Sequence, residues 1–552
     1  MTIKTFLASC VVAFQLSAAD SIDNVAADFW QWRAREQPVT TDDIPRLERP
    51  QSWVPNWSPD ALALYRKQLT KFEQQLEAIQ VASEPVAAQV DYRLLQSAVA
   101  RVRWELEVLQ LPQRDPAFYV DQTLGAYLAS ILPPPPFTPE RSNELLTILD
   151  SIPATIQNAE LNLSDARAPF AQIALVQLTD CRTRLQTSVE KIKPLLSADT
   201  AAKIDESAAG AIRALESYSQ WLTTNLPKMR EETAVGKDGY VFFLRQVAVL
   251  PYTPEELLAI GRQEWARAVT SQILEEHRNE ELPPLRMFFS SKTQIEREAA
   301  DEVAVRKYLS VKKLLTVPES MAHYRFAAMP DYIKPLADLG EADDFTSPNR
   351  LDQNGIRYID PPSPSLGYFA RAMATDPRTL TVHEGVPGHY FQLALSWTNQ
   401  DPIRRHYYDS CANEGIGYYA EEMMLNAGLF DNSPRSREII WNFMRLRALR
   451  VEVDVKLATG QFTLQQAADY LAASVPMDRG TAQAEASFFA ATPGQAISYL
   501  IGKVQIQQFL ADTQRSQGAR FDLQAFQDFL WKNGNVPIAL QRQELLGAEG
   551  GK

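Results

Sequence analysis

Apolar residues recur at spacings of three and four along most of the chain. Leu62, Tyr65, Leu69, Phe72, Leu76 and Ile79 form one such series, and Leu95, Val99, Val102, Leu106 and Leu109 form another. At 3.6 residues per turn, each series falls on one face of a helix, with polar residues covering the other. Helix starts are marked as well. Thr253-Pro254-Glu255-Glu256 supplies a capping threonine, a first-turn proline and a glutamate at the third helical position. Thr492-Pro493-Gly494-Gln495 repeats the arrangement with glutamine. Ser433-Pro434 opens a helix expected to run to about Thr459, where Gly460 stops it. Period-two alternation is rare, and Leu366 to Ala374 is the best candidate strand. Between Pro330 and Ser365 the chain is rich in Pro, Asp, Gly and Ser and reads as a long irregular connection. The pattern predicts a mostly α protein with one small strand element near residue 370.

Composition sharpens this picture. Hydrophobic residues make up 45% and charged residues 22%, values that exclude a disordered or fibrous chain. The 22 glycines among 552 residues fall well below the usual ~7%, in keeping with long helices. A formal charge of -13 without a dense Lys/Arg run argues against a nucleic-acid partner. At the N-terminus, Lys4 precedes an apolar run from Phe6 to about Phe14, and Ser17-Ala18-Ala19 offers small residues before Asp20. This is the pattern of a secretory signal peptide over residues 1–19. Leu7-Ala8-Ser9-Cys10 has the look of a lipoprotein box, but the apolar stretch continues past it, so a periplasmic or secreted protein is the preferred reading. No later segment is long and apolar enough for a membrane span. Removal of the leader would leave Cys181 and Cys411, which could pair in an oxidising compartment.

Two of only five histidines fall within residues 380–395, LTVHEGVPGHYFQLAL. Neutral imidazoles suit a borderline metal such as zinc, and a carboxylate beside a ligand can act as general base toward water. In the usual His-Glu-x-x-His arrangement, a spacing of four puts both histidines on one helix face. His383 and His389 are six apart, which on a straight helix leaves them about 120° apart in rotation. A backbone break is therefore required, and Pro387-Gly388 sits where it is needed. Downstream, Glu414, Tyr418 and Glu421 share a helix face at i, i+4 and i+7. From spacing alone such a face is expected to be solvated. A His-Glu…His cluster lacking a third ligand makes Glu414 a candidate for that place, with Glu421 as acceptor for a ligating histidine.

These residues resemble the bacterial DUF885 family, whose members carry an H-E-G-x-P-G-H block matched by His383 to His389. Glu414-Gly415 through Glu421 is similar to the family's E-G-W-x-x-Y-x-E helix, Pro493 to Gly502 to its P-G-Q-A-x-x-Y-x-x-G block, and Arg450 with Asp454 to its R-x-x-x-D helix. The family is grouped with gluzincin-type zinc peptidases and is similar in shape to the M32 carboxypeptidases and angiotensin-converting-enzyme-like peptidases. The resemblance implies a helical zincin-like body with a deep central cleft and a β element beside the metal. It implies one zinc ion on His383, His389 and Glu414, Glu384 as general base, Tyr499 as oxyanion donor and a peptide substrate. Residues 20–340 would form a helical N-terminal portion and 341–552 the catalytic portion of one unit. Departures fall at Ile416, where the family has Trp, at Ala458, where it has His, and at Phe488, where it has Arg.

Tyr407, Tyr408 and Tyr418 compete with Tyr499 for the donor role. The strand expected at 366–374 would bind an extended peptide by its edge. His277 reads as a surface residue, His323 as a satisfied, partly buried one, and His406 as a candidate substrate contact or partner to a ligand. Two other functions fit the pattern less closely: a non-catalytic peptide- or partner-binding protein, and a metal-dependent amidase or esterase acting on a non-peptide. There is no G-x-S-x-G nucleophile elbow, and a Cys411 nucleophile has only His406 near it in sequence.

Overall fold

The computed structural model describes residues 16–40 and 48–547, with side chains from residue 22 onward. The apolar run of the expected leader, Phe6 to Phe14, lies outside the described residues. The protein is mostly α-helical, with one small three-stranded sheet among the described residues. No described helix is long and apolar enough to cross a membrane.

The two apolar stripes lie where their spacing requires. Leu62, Tyr65, Leu69, Phe72 and Leu76 are the buried face of the helix Pro59–Glu77, which Ser58 caps. Val99 and Val102 lie on the helix Val86–Arg103, and the wider turn Trp104–Val108 carries Leu106 inward. These residues join one core with helices Pro139–Asn162 and Ile204–Asn225. A second core collects Trp104, Phe243, Val382, Phe391, Ile416 and Ile497 around the site described below. Thr253 and Glu256 form the full capping box at the start of the helix Pro254–Arg278. The helix Pro434–Ala458 ends one residue before Thr459, and Gly460 follows with a positive φ.

Three expectations are corrected. Residues 368–373 are a short helix, Tyr368–Met373, behind Gly367, because an alanine-rich stretch with no true alternation favours helix. The sheet comes from the segment read as irregular: β1 (Tyr324–Ala328), β2 (Asp343–Asp344) and β3 (Gly355–Ile359), with β3 parallel to β1 and antiparallel to β2. Thr492 does not cap the helix Gln495–Gln517; its hydroxyl donates to the Phe488 carbonyl at 2.6 Å. Asp454 takes that place from the neighbouring helix, accepting from the amides of Gly494 at 2.9 Å and Ile497 at 3.1 Å. Cys181 and Cys411 are both buried and free, and they lie in different cores.

Candidate metal centre

The backbone breaks between the two histidines. Residues 381–385 form one wide turn, closed by the Val386 amide donating to the Thr381 carbonyl at 2.9 Å. The Val386–Pro387 peptide is cis, and a new helix begins at His389. The Pro387 carbonyl accepts from the Trp531 indole at 2.6 Å, which fixes the corner. At Gly388 a side chain is impossible, since a Cβ there would sit 1.6 Å from the His383 carbonyl oxygen. This corner brings the two imidazoles together, with ring centroids 4.7 Å apart and planes at 81°.

Glu414 arrives from the helix Ser410–Asn426. That helix crosses Gln495–Gln517 closely, because a Cβ on Gly502 would lie 2.0 Å from the Cys411 carbonyl oxygen. The crossing buries Glu414, Tyr418 and Glu421, so the expected solvated face is instead an interior one. Glu414 Oε2 lies 3.4 Å from His383 Nε2 and 3.2 Å from His389 Nε2. Glu384 Oε2 stands 4.0 Å from His389 Nε2. One donor atom from each of His383, Glu384 and His389 falls within 4.8 Å of the others. A Cβ on Gly417 would touch Cε1 of both imidazoles at 3.0 Å, so glycine leaves the space in which the rings meet.

The electrostatics favour a cation. His389 Nε2, Glu414 Oε2 and Glu384 Oε2 are buried without a hydrogen-bond donor or acceptor aligned on them. Such groups are costly unless something binds them. Ligand atoms around a tetrahedral zinc with bonds of about 2.1 Å lie about 3.4 Å apart, close to the spacings from Glu414 to both histidines. Burial and the Arg447 charge oppose protonation of His383, but the Glu414 and Glu421 carboxylates prevail and hold its pKa at about 9. Burial raises Glu414, yet His389 and His383 keep it far below the ordinary carboxylate range.

The surrounding side chains orient this set. Glu421 Oε1 lies 2.7 Å from His383 Nδ1 and is paired with Arg447 at 2.8 Å. The guanidinium of Arg447 rests between the rings of Tyr418 and Tyr499, and Tyr418 donates to the Met444 carbonyl at 3.2 Å. Tyr418 is thus a platform for Arg447. Tyr499 stacks on His383 at 6.3 Å and 19°, with Arg450 over its ring at 4.5 Å. Tyr407 is turned away, its hydroxyl 2.8 Å from Ser97 Oγ. His406 lies outside the cluster, stacked on Trp30, with Nδ1 2.7 Å from the Pro402 carbonyl. His277 is on the surface, and His323 meets Glu302 at 2.8 Å.

Three residues here escaped the sequence reading. Gln495 Nε2 donates to Glu414 Oε1 at 3.3 Å. Arg447 stands three residues before Arg450 on the same helix, and that spacing was the available signal. Arg357 on β3 reaches Glu384 Oε1 at 3.7 Å and also pairs with Asp343. Its strand was hidden in the stretch read as irregular.

Beside the site is a cavity of about 790 Å³. None of His383, His389, Glu384 or Glu414 lines it, but Gln495, Phe488, Thr492 and Tyr408 do. Gln495 therefore joins the cavity wall to Glu414. Of the departures noted above, Phe488 is on this wall, whereas Ile416 and Ala458 are buried in the second core.

The family model for bacterial proteins of unknown function, DUF885, matches residues 46–545. The chain belongs to the DUF885 family. No curated protein matches it. Two solved structures share the fold of this DUF885 chain. One is described as a putative lipoprotein of unknown function from Shewanella oneidensis, with 16% identity, a TM-score of 0.72, and coverage of 96% of this chain and 100% of that one. The other is described as a putative lipoprotein from Colwellia psychrerythraea, with 17% identity, a TM-score of 0.76, and coverage of 98% and 99%. At these identities the likeness concerns the fold alone.

Proposed function

We propose that this protein is an exported, zinc-dependent peptidase of the gluzincin kind. The observation that carries the reading is the approach of Glu414 Oε2 to both histidine Nε2 atoms at 3.2 and 3.4 Å, in a buried cluster where Glu414 Oε2 and His389 Nε2 have no aligned hydrogen bond. His383, His389 and Glu414 would hold the metal, leaving one position open. Bound zinc would supply a Lewis acid and lower the pKa of its water.

The chain's own groups then have these tasks. Glu384, beside the cluster, accepts the proton of the attacking water and returns it to the leaving amine. Arg357 keeps a positive charge at its far oxygen. Glu421 orients His383, and Gln495 orients Glu414. Tyr499, stacked on His383, is the candidate to donate to the developing oxyanion. The cavity behind Gln495 falls within the ~300–1,000 Å³ usual for ligand sites, a size for short peptides or extended chain ends. The description of both solved relatives as lipoproteins supports a place in the cell envelope, as does the expected leader.

The test is hydrolysis of a mixed short-peptide library by the wild-type protein and by Glu384→Gln. Wild-type turnover abolished by a chelator and restored by zinc is expected, with a loss of at least about 100-fold in the variant, the scale of a lost general base. Unchanged turnover in Glu384→Gln would refute the mechanism.

A further inference from the structure

Resting on the peptidase reading, we infer that the cavity beside Gln495 takes a peptide carboxylate on Arg101. Other buried and half-buried arginines among the described residues are committed. Arg33 pairs with Glu105, Arg404 with Glu544 and Asp91, Arg450 with Glu485, and Arg93 donates to the Arg245 carbonyl. Arg101 is half-buried, lines the cavity, and has no hydrogen-bond acceptor or ion-pair partner among the described residues. Arg101 acts on the buried Asp409 only through its field, without an ion pair, and Asp409 Oδ2 caps the Ala412 amide at 2.8 Å.

The cavity also has acidic residues, but each is already engaged. Glu105 holds Arg33 at 3.0 Å, Glu48 holds the Asn349 amide at 3.1 Å, Asp115 caps Ala117 at 2.8 Å, and Asp121 has an interaction of its own. Arg405, exposed and likewise without an ion-pair partner among the described residues, stands on the same wall. A guanidinium that is partly desolvated and free of acceptors is a ready partner for a carboxylate, which it can hold by two parallel hydrogen bonds. The Arg101 charge acts on Tyr407 and Asp409, whose segment runs directly into the Ser410–Asn426 helix carrying Glu414. Arg101 and Gln495 line the same cavity, so a ligand that reaches from one to the other ends at the side chain that donates to Glu414. The carboxylate could belong to the C-terminus of a short peptide or to an Asp or Glu side chain; the chemistry at Arg101 is the same.

The experiment measures binding, so it does not depend on turnover. Zinc-loaded Glu384→Gln protein is titrated with four forms of one fluorescent pentapeptide: free acid or C-terminal amide, each with Glu or Gln inside. We expect a carboxylate form to bind about tenfold more tightly than its neutral counterpart, the scale of one charge-assisted hydrogen bond. The acid-versus-amide pair and the Glu-versus-Gln pair separate the two sources. Arg101→Gln should bring the ratio to near one, and Arg101→Lys should keep part of it. Equal binding of all four forms, no binding of any, or a ratio unchanged in Arg101→Gln would overturn the inference. Absence of hydrolysis by the wild-type protein, with the carboxylate preference intact, would instead count against the peptidase reading alone.

Discussion

His383 Nδ1 lies 2.7 Å from Glu421 Oε1, and the same carboxylate oxygen meets Arg447 at 2.8 Å. This link fixes the ring and leaves Nε2 turned toward Glu414. A glutamine at 421 keeps the shape but weakens the acceptor. Glu421→Gln should lower zinc affinity by about 10–100-fold, as removal of such partners does. Competition titration against a chromogenic chelator measures this. Wild-type affinity in the variant would show that Glu421 serves packing only.

The second prediction concerns pH. In the metal-free protein His383 keeps its proton up to about pH 9, above the ordinary 6.5. A group whose pKa is raised on folding contributes stability that is complete below about pH 6.5 and is lost as pH climbs through about 9. Zinc must displace that proton, so the stabilisation zinc provides should grow over the same interval. Thermal melts with and without zinc at pH 6, 7.5 and 9 are the check. A zinc-induced shift that is largest at pH 6 would contradict it.

A third prediction sets local propensity against the site. Gly417 lies inside a helix, where alanine is worth about 1 kcal/mol of added stability on propensity alone. Its Cβ, however, would press on both imidazoles at 3.0 Å. Gly417→Ala should leave the helix content of the metal-free protein intact and cut zinc binding at least about tenfold, through displaced ligands. Circular dichroism and zinc titration together read both effects. Full zinc affinity in the variant would mean that the rings do not meet as described.

The fourth concerns Asp454, which holds the Gly494 and Ile497 amides from a separate helix. Asp454→Ala should cost about 2 kcal/mol, the upper range for a helix cap, since the buried amides lose their acceptor. Urea denaturation gives the number. A loss below about 0.5 kcal/mol would mean that another group satisfies those amides.

Much of this architecture could be read from residue order, and the remainder has identifiable physical causes. The stripe from Leu62 to Leu76 and the capping box at Thr253 are local patterns, and local geometry realises them. The six-residue gap between His383 and His389 demanded a break, and Pro387-Gly388 stands at it. The sheet was missed because β2 is only Asp343–Asp344 and the strands hide among turn-forming residues. Local order points to Thr492 as the cap at Gln495, whereas Asp454 reaches Gly494 from 40 positions away. The interior burial of Glu414 and Glu421 depends on Arg447 and on the Gly415–Gly502 crossing, relations between distant helices that periodicity does not report.

The central claim is that His383, His389 and Glu414 bind one zinc ion. Elemental analysis of purified wild-type protein, His389→Ala and Glu414→Ala, each dialysed against micromolar zinc and then against buffer, tests it most directly. The account predicts about one zinc per wild-type chain, the occupancy of a three-ligand site, and less than about a tenth of that in either variant. Wild-type protein that holds no zinc, or a Glu414→Ala protein that holds as much as wild type, would contradict it.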